Sequence, residues 1–153
     1  MGRARVRSGD PVGGLTQLRE AQARFEQIDE PDESFLTGLA IAEAMLIGGD
    51  PAGALEVTDT MRANEHAEVV ADQLHSLRGL ALLRLGRAVE ACSEFRRGLT
   101  ASGPGARSFG FALNCLGLGA AGAADGAVQA ARGKRALREL GVVELTLLDL
   151  SLT

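Results

Sequence analysis

Apolar residues recur at spacings of three and four along most of this chain. Phe35, Leu36, Leu39, Ile41, Ala42, Met45 and Leu46 follow that rhythm, which lays an apolar stripe along one helix face. The two-residue alternation of strands is nearly absent. At regular intervals the helical rhythm is cut by a glycine followed by small or polar residues: Gly9-Asp10-Pro11, Gly49-Asp50-Pro51, Gly86-Arg87-Ala88 and Gly122-Ala123-Ala124, spaced 40, 37 and 36 residues apart. That period lies in the range of helical-hairpin repeats. Gly9 and Gly49 suit the left-handed turn that ends a helix. Asp10 and Asp50 can cap the next one, and Pro11 and Pro51 fit its first turn, where a missing N–H costs nothing.

The pattern predicts helices near 11–28, 33–47, 51–63, 67–85, 87–100, 105–121, 124–140 and 143–152, after a short N-terminal remnant. Polar, Pro-containing breaks fall at 29–33 and 102–105. The short connections make neighbours antiparallel hairpins. The expected architecture is all-α, a single domain over 1–153 with units at about 1–32, 33–66, 67–104 and 105–141. An unpaired terminal helix over 142–153 follows. Its Val142, Val143, Leu145, Leu147, Leu148, Leu150 and Leu152 would leave apolar surface bare. Terminal repeats normally carry a polar cap, so the chain is expected either to be a piece of a larger protein or to self-associate through this helix.

The most specific stretch runs from Leu77 to Leu99. Gly79, Gly86, Ala91, Phe95 and Gly98 set small residues and one aromatic at fixed spacings across two predicted helices. This resembles a tetratricopeptide repeat (TPR), in which the small residues let helices A and B approach and the aromatic fills the groove between hairpins. Ala42, Gly49 and Ala54 fit the same spacing, with Thr58 in place of the aromatic. Leu116-Gly117 opens a fourth unit, in which Gly122 comes two residues early. The resemblance implies a right-handed superhelical α-solenoid that binds a protein or peptide, with no catalysis and no cofactor. The Ala/Leu/Gly/Arg-rich style is similar to the helical arms of bacterial signalling ATPases, cyclases and transcription regulators, so a regulatory or sensory arm is the alternative. In the family, helix A lines the concave groove. By spacing, the groove positions fall on Glu43; on Gln73, Ser76, Leu80, Leu83 and Arg84; and on Phe111, Asn114 and Leu118. Asn114 could hydrogen-bond a peptide backbone and Arg84 could meet a carboxylate.

Composition narrows the chemistry. Apolar residues make up 46% and charged residues 24% of 153, enough to bury one ordinary core. Aromatics are 3%, without Trp or Tyr, and the net charge is −4; both argue against a nucleic-acid binder. Arg132, Lys134, Arg135 and Arg138 form a basic stretch that reads as a solvated helix face. No apolar run approaches the roughly 18 residues of a membrane span, and no apolar core follows the basic start to make a secretory signal. Cys92 and Cys115 belong to no CxxC or Cys/His cluster and read as buried reduced thiols of a cytoplasmic protein. His66 and His75 lack a further ligand at metal spacing.

One enzyme reading competes. Gly117, Gly119 and Gly122 match the GxGxxG of dinucleotide-binding loops, which would need a strand over 111–116, a crossover helix and a second strand over 142–148. Asp149 would then meet a ribose, 27 residues past the last glycine against about 20 expected.

Overall fold

Four glycines repeat one backbone turn in the computed structural model, which describes residues 1–63, 65–68 and 70–142. Gly9, Gly49, Gly86 and Gly122 have φ of 95°, 82°, 77° and 71°, a region open to residues without a Cβ. At Gly49 the amide donates to Leu46 O (3.2 Å) and the Asp50 amide to Met45 O (2.8 Å), and the same pair of bonds closes the other three turns. Two orphaned helix carbonyls are thereby satisfied at each turn. The next helix starts at once after the first two. The Gly13 amide donates to Asp10 Oδ1 (2.8 Å) and the Gly53 amide to Asp50 Oδ1 (2.9 Å), with Pro11 and Pro51 as first helical residues.

The described residues are all-α. The helices are α1 (Gly2–Arg7), α2 (Pro11–Gln27), α3 (Pro31–Ile47), α4 (Pro51–Arg62), α5 (Ala71–Arg84), α6 (Ala88–Ser102), α7 (Phe109–Ala120) and α8 (Gly126–Glu139), with a 3-10 turn at Glu65–Glu68. Each packs on its neighbour in the chain. In addition α1, α3, α5 and α7 touch in succession.

Odd- and even-numbered helices differ in how much they bury. Residues 38–46 of α3, 76–82 of α5 and 110–118 of α7 are buried on every side, because four other helices surround α3 and α5 and three surround α7. The single stripe expected for α3 is thus wider than its periodicity implied, although Leu36 at 45% exposure lies outside it. The even helices bury one stripe each, as with Ala91, Glu94, Phe95 and Gly98 of α6.

Phe95 is fully buried between α5 and α7. A Cβ built on Gly79 or on Gly117 would fall inside the ring's van der Waals envelope. Two glycines, one on α5 and one on α7, therefore make the slot that the ring fills.

Four helix starts shift by two residues or more from those expected, and the expected N-terminal remnant is itself helical as α1; α3 begins at Pro31, inside the expected polar break and two residues before 33. The helix expected from 67 starts at Ala71, because 65–68 tighten into the 3-10 turn. The one expected from 105 starts at Phe109. Gly103 and Gly105 adopt φ of 75° and 77°, and Ser108 caps by accepting from the Phe111 amide (3.0 Å). The one expected from 124 starts at Gly126. The early Gly122 still makes its turn, since α7 ends sooner after Gly117 than α5 does after Gly79. The strand required over 111–116 by the dinucleotide-loop reading is helix: Gly117 lies against Phe95, and Gly119 lies against Ala130 of α8. The helix expected over 143–152, the second strand and Asp149 lie outside the described residues.

Phe95→Ala is expected to destabilise the protein by about 3–5 kcal/mol, the range for emptying a buried aromatic site. Gly117→Ala should cost about 1–3 kcal/mol by overpacking a rigid ring, although alanine is the better helix former. Urea unfolding followed by circular dichroism measures both. A neutral or stabilising Gly117→Ala would sink the slot description.

Candidate functional site

The residues expected to line a concave groove fall on α3, α5 and α7, and most are engaged inside the protein. Glu43 is 5% exposed and pairs with two cations of α1: Arg7 Nη2 at 2.9 Å and Arg3 Nε at 3.4 Å. The buried Ser76 hydroxyl donates to Gln73 O (2.7 Å). Asn114 is fully buried; its Nδ2 donates to Asp72 O (2.8 Å) and to Gly110 O (2.9 Å), and its amide lies against Gly98. Asp72 also accepts from the Ser108 hydroxyl, so it ties α5 to the start of α7. Arg84, exposed at the end of α5, donates to Leu46 O of α3. Gln73 is half-buried. Phe111 is buried beneath the Arg132 guanidinium, 5.3 Å from the ring centre. A ligand would reach Ser76 only by displacing its bond within α5, and Asn114 only by displacing the bond that joins α7 to α5.

A charged network lies on the other side of α5. Glu94 of α6 is 5% exposed and accepts from His75 Nδ1 (2.8 Å) and Arg97 Nη1 (2.9 Å). Arg78 Nε lies 3.3 Å from Glu94 Oε2 without hydrogen-bond geometry, and Arg78 also pairs with Asp59 of α4. Burial acts to raise the pKa of Glu94, but the His75 hydrogen bond and the nearby Arg78 charge outweigh it and hold the carboxyl at about 2. The network joins α4, α5 and α6. His75 is half-buried and part of it, while the His66 side chain lies outside the described structure.

One repeat earlier the same place is open. A cleft of about 570 Å³ runs between α2 and α4, floored by α3. Phe35, Gly38, Ile41 and Met45 of α3 line its base, and Val57 and Met61 its far wall. Glu26, Asp29 and Glu30 stand at one end, with Arg19 and Gln22 along α2. The 37-residue register from Gly49 to Gly86 carries Gly38, Ile41, Val57 and Thr60 onto His75, Arg78, Glu94 and Arg97. The 40-residue register from Gly9 to Gly49 carries Arg19 onto Asp59. The cleft is therefore the position-by-position counterpart of the charged network, with glycine, isoleucine, valine and threonine in place of His75, Arg78, Glu94 and Arg97, and Arg19 in place of Asp59. On α3 its base faces away from Glu43, since 38, 41 and 45 lie about half a helical turn from 43. Sequence reading placed the candidate site on that opposite face. The signal that marks the cleft is a glycine and an isoleucine standing where the next unit has a histidine and an arginine.

A smaller hollow of about 390 Å³ lies between Arg107, Phe111, Arg132, Arg135 and Glu139, so part of the basic stretch gathers around the Phe111 ring. Cys115 is fully buried, and burial pushes its thiol up to about 11; Cys92 is half-buried and also free. Among the described residues no group of three or more His, Cys, Asp or Glu side chains could hold a metal ion, and no helix is long and apolar enough to cross a membrane. Compared with protein-family models, curated proteins and solved structures, the chain matches none.

Two stability outcomes follow. Because the folded pKa of Glu94 lies below its ordinary 4.5, its contribution is full above about pH 4.5 and is lost as pH falls through about 2. Glu94→Gln should cost about 3 kcal/mol at pH 6, by leaving the buried Arg78 short of a counter-charge, and the gap from wild type should narrow between pH 4.5 and 2. A gap that is constant with pH would contradict the assigned charge. Asn114→Ala should destabilise by about 1–3 kcal/mol by removing the bond from α7 to the Asp72 carbonyl and leaving a small void at a fully buried position, as read from thermal or urea unfolding.

Proposed function

We propose that this chain is a non-catalytic scaffold that binds a protein or peptide segment, built as a right-handed superhelical stack of antiparallel hairpins of the tetratricopeptide kind. The fold part of this reading is supported by the repeated glycine turn, by the succession of contacts among α1, α3, α5 and α7, and by the Phe95 ring seated between Gly79 and Gly117. Each repeat in such a stack touches only its neighbours, so surface between repeats is free to take a ligand where the chain does not fill it.

The observation that carries the functional part is the open cleft between α2 and α4. The polar side chains of the α4–α5–α6 and α5–α6–α7 junctions bond one another across helices, whereas the α2–α3–α4 junction presents unfilled apolar volume with two methionines in its walls. Methionine adapts its shape at low cost, which suits a surface that receives another protein's side chains. The inner-face set of Glu43, Gln73, Ser76, Arg84, Phe111 and Asn114 carries less, because Glu43 is paired with α1, the Ser76 hydroxyl is bonded within α5, and Asn114 is bonded to α5. The reading needs no cofactor. The dinucleotide-loop alternative loses its support with the helical course of 109–120.

The test is affinity capture from the source cells with the intact chain and with Phe95→Ala, quantified by mass spectrometry. A protein retained in near-stoichiometric amount by the wild type, and lost at a temperature where the variant is unfolded, is the expected result. Turnover of a small molecule by the purified chain, with no protein retained, would overturn the proposal.

A further inference from the structure

We infer that the cleft between α2 and α4 takes a basic–apolar protein segment: one bulky aliphatic, methionine or aromatic side chain anchored on α3, with lysine or arginine about a helical turn away. This rests on the scaffold reading above and names the partner's chemistry.

The anchor follows from the base of the cleft. Ile41, Met45 and Met61 are each under a tenth exposed and line a volume of about 570 Å³, ample for one large side chain and part of a second. Gly38 opens its centre. A Cβ there would stand 3.2 Å from Met61 Sδ, so any side chain at 38 would enter the space the ligand uses. In the next unit that space is taken from within by His75 and Arg78.

The charge follows from the rim. Glu26, Asp29 and Glu30 stand together where α2 passes into α3, and among the described residues Arg19 is the one cation lining the cleft. None of the three carboxylates pairs with a cation among the described residues. Asp29 is held there by the backbone: it has φ of 56° and the Glu30 amide donates to Phe25 O (2.9 Å), the bond that closes the glycine turns elsewhere. An apolar anchor entering beside this edge gains if its flanks are positive. The same charge disfavours the chain's own apolar tail as occupant. After Arg138 the sequence carries Glu139, Glu144 and Asp149 and no lysine or arginine.

The experiment pans a synthetic peptide library over the immobilised full chain. Members share a Leu, Met or Phe anchor and differ in Lys/Arg, Glu or uncharged flanks. Lys/Arg-flanked members should be enriched roughly tenfold over Glu-flanked ones. The preference should invert in a Glu26→Lys/Glu30→Lys double variant, whose changes are on the surface and leave the core intact. Gly38→Leu should abolish retention of all anchored members while the circular dichroism spectrum stays helical. Enrichment that ignores both the rim reversal and Gly38→Leu would overturn this inference and leave the scaffold reading standing. A dimer in sedimentation that Gly38→Leu dissolves would also overturn it, in favour of a second copy as occupant. Retention of no peptide of any class would sink the inference and count against the scaffold reading with it.

Discussion

The fit of one aromatic ring between two glycines governs the C-terminal half of this protein. Phe95 projects from α6 into a slot whose sides are Gly79 of α5 and Gly117 of α7. A Cβ on either side would press into the ring, so the approach of α5 and α7 to α6 is set by the space that the ring needs. A close-packed interior transmits such a constraint, because no void exists to absorb a misfit. Leu77, Leu80, Leu113 and Leu116, all within about 1% of full burial, pack at the separation that results. The polar bonds of the same region depend on it as well. Asn114 reaches the Asp72 carbonyl only because Gly98 of α6 presents no side chain in its way.

The interfaces between repeats are closed by unlike means. Around α5 a buried carboxylate is matched by a histidine and two arginines, an arrangement that costs heavily if any partner is removed and so fixes the relative placement of α4, α5 and α6. Between α5 and α7 short neutral side chains and one aspartate do the joining. Around α3 the equivalent positions are glycine, isoleucine, valine and threonine, which cannot bridge a gap. The backbone turn recurs while the side chains at equivalent positions differ, and the cleft lies where they are too short to meet.

Much of this was legible from spacing alone. The Gly-Asp-Pro turns are local, requiring only a residue that accepts positive φ, a short carboxylate and a proline that needs no N–H, so their positions could be read residue by residue. The aromatic-and-small-residue pattern over 77–99 announced the Phe95 slot, although its second glycine, Gly117, became identifiable as a wall only with α7 in place. The starts of α3, α5, α7 and α8 at 31, 71, 109 and 126 lie two to four residues from where periodicity puts them; a 3-10 turn before α5 and a pair of positive-φ glycines before α7 leave little trace in apolar spacing.

The candidate site was less legible. Glu43, Ser76 and Asn114 stand at positions that spacing alone assigns to a groove, and spacing cannot tell a polar side chain aimed at a ligand from one bonded to its own or an adjoining helix. The sequence by itself determined the helical class, the repeat period and the turns that divide it, because those depend on neighbours within a few residues. Only the tertiary structure decided which polar groups are consumed internally and which junction stays open. Those outcomes depend on side chains some 20 to 40 residues apart meeting across a gap, and on whether the pair that meets is charged and long enough to close it.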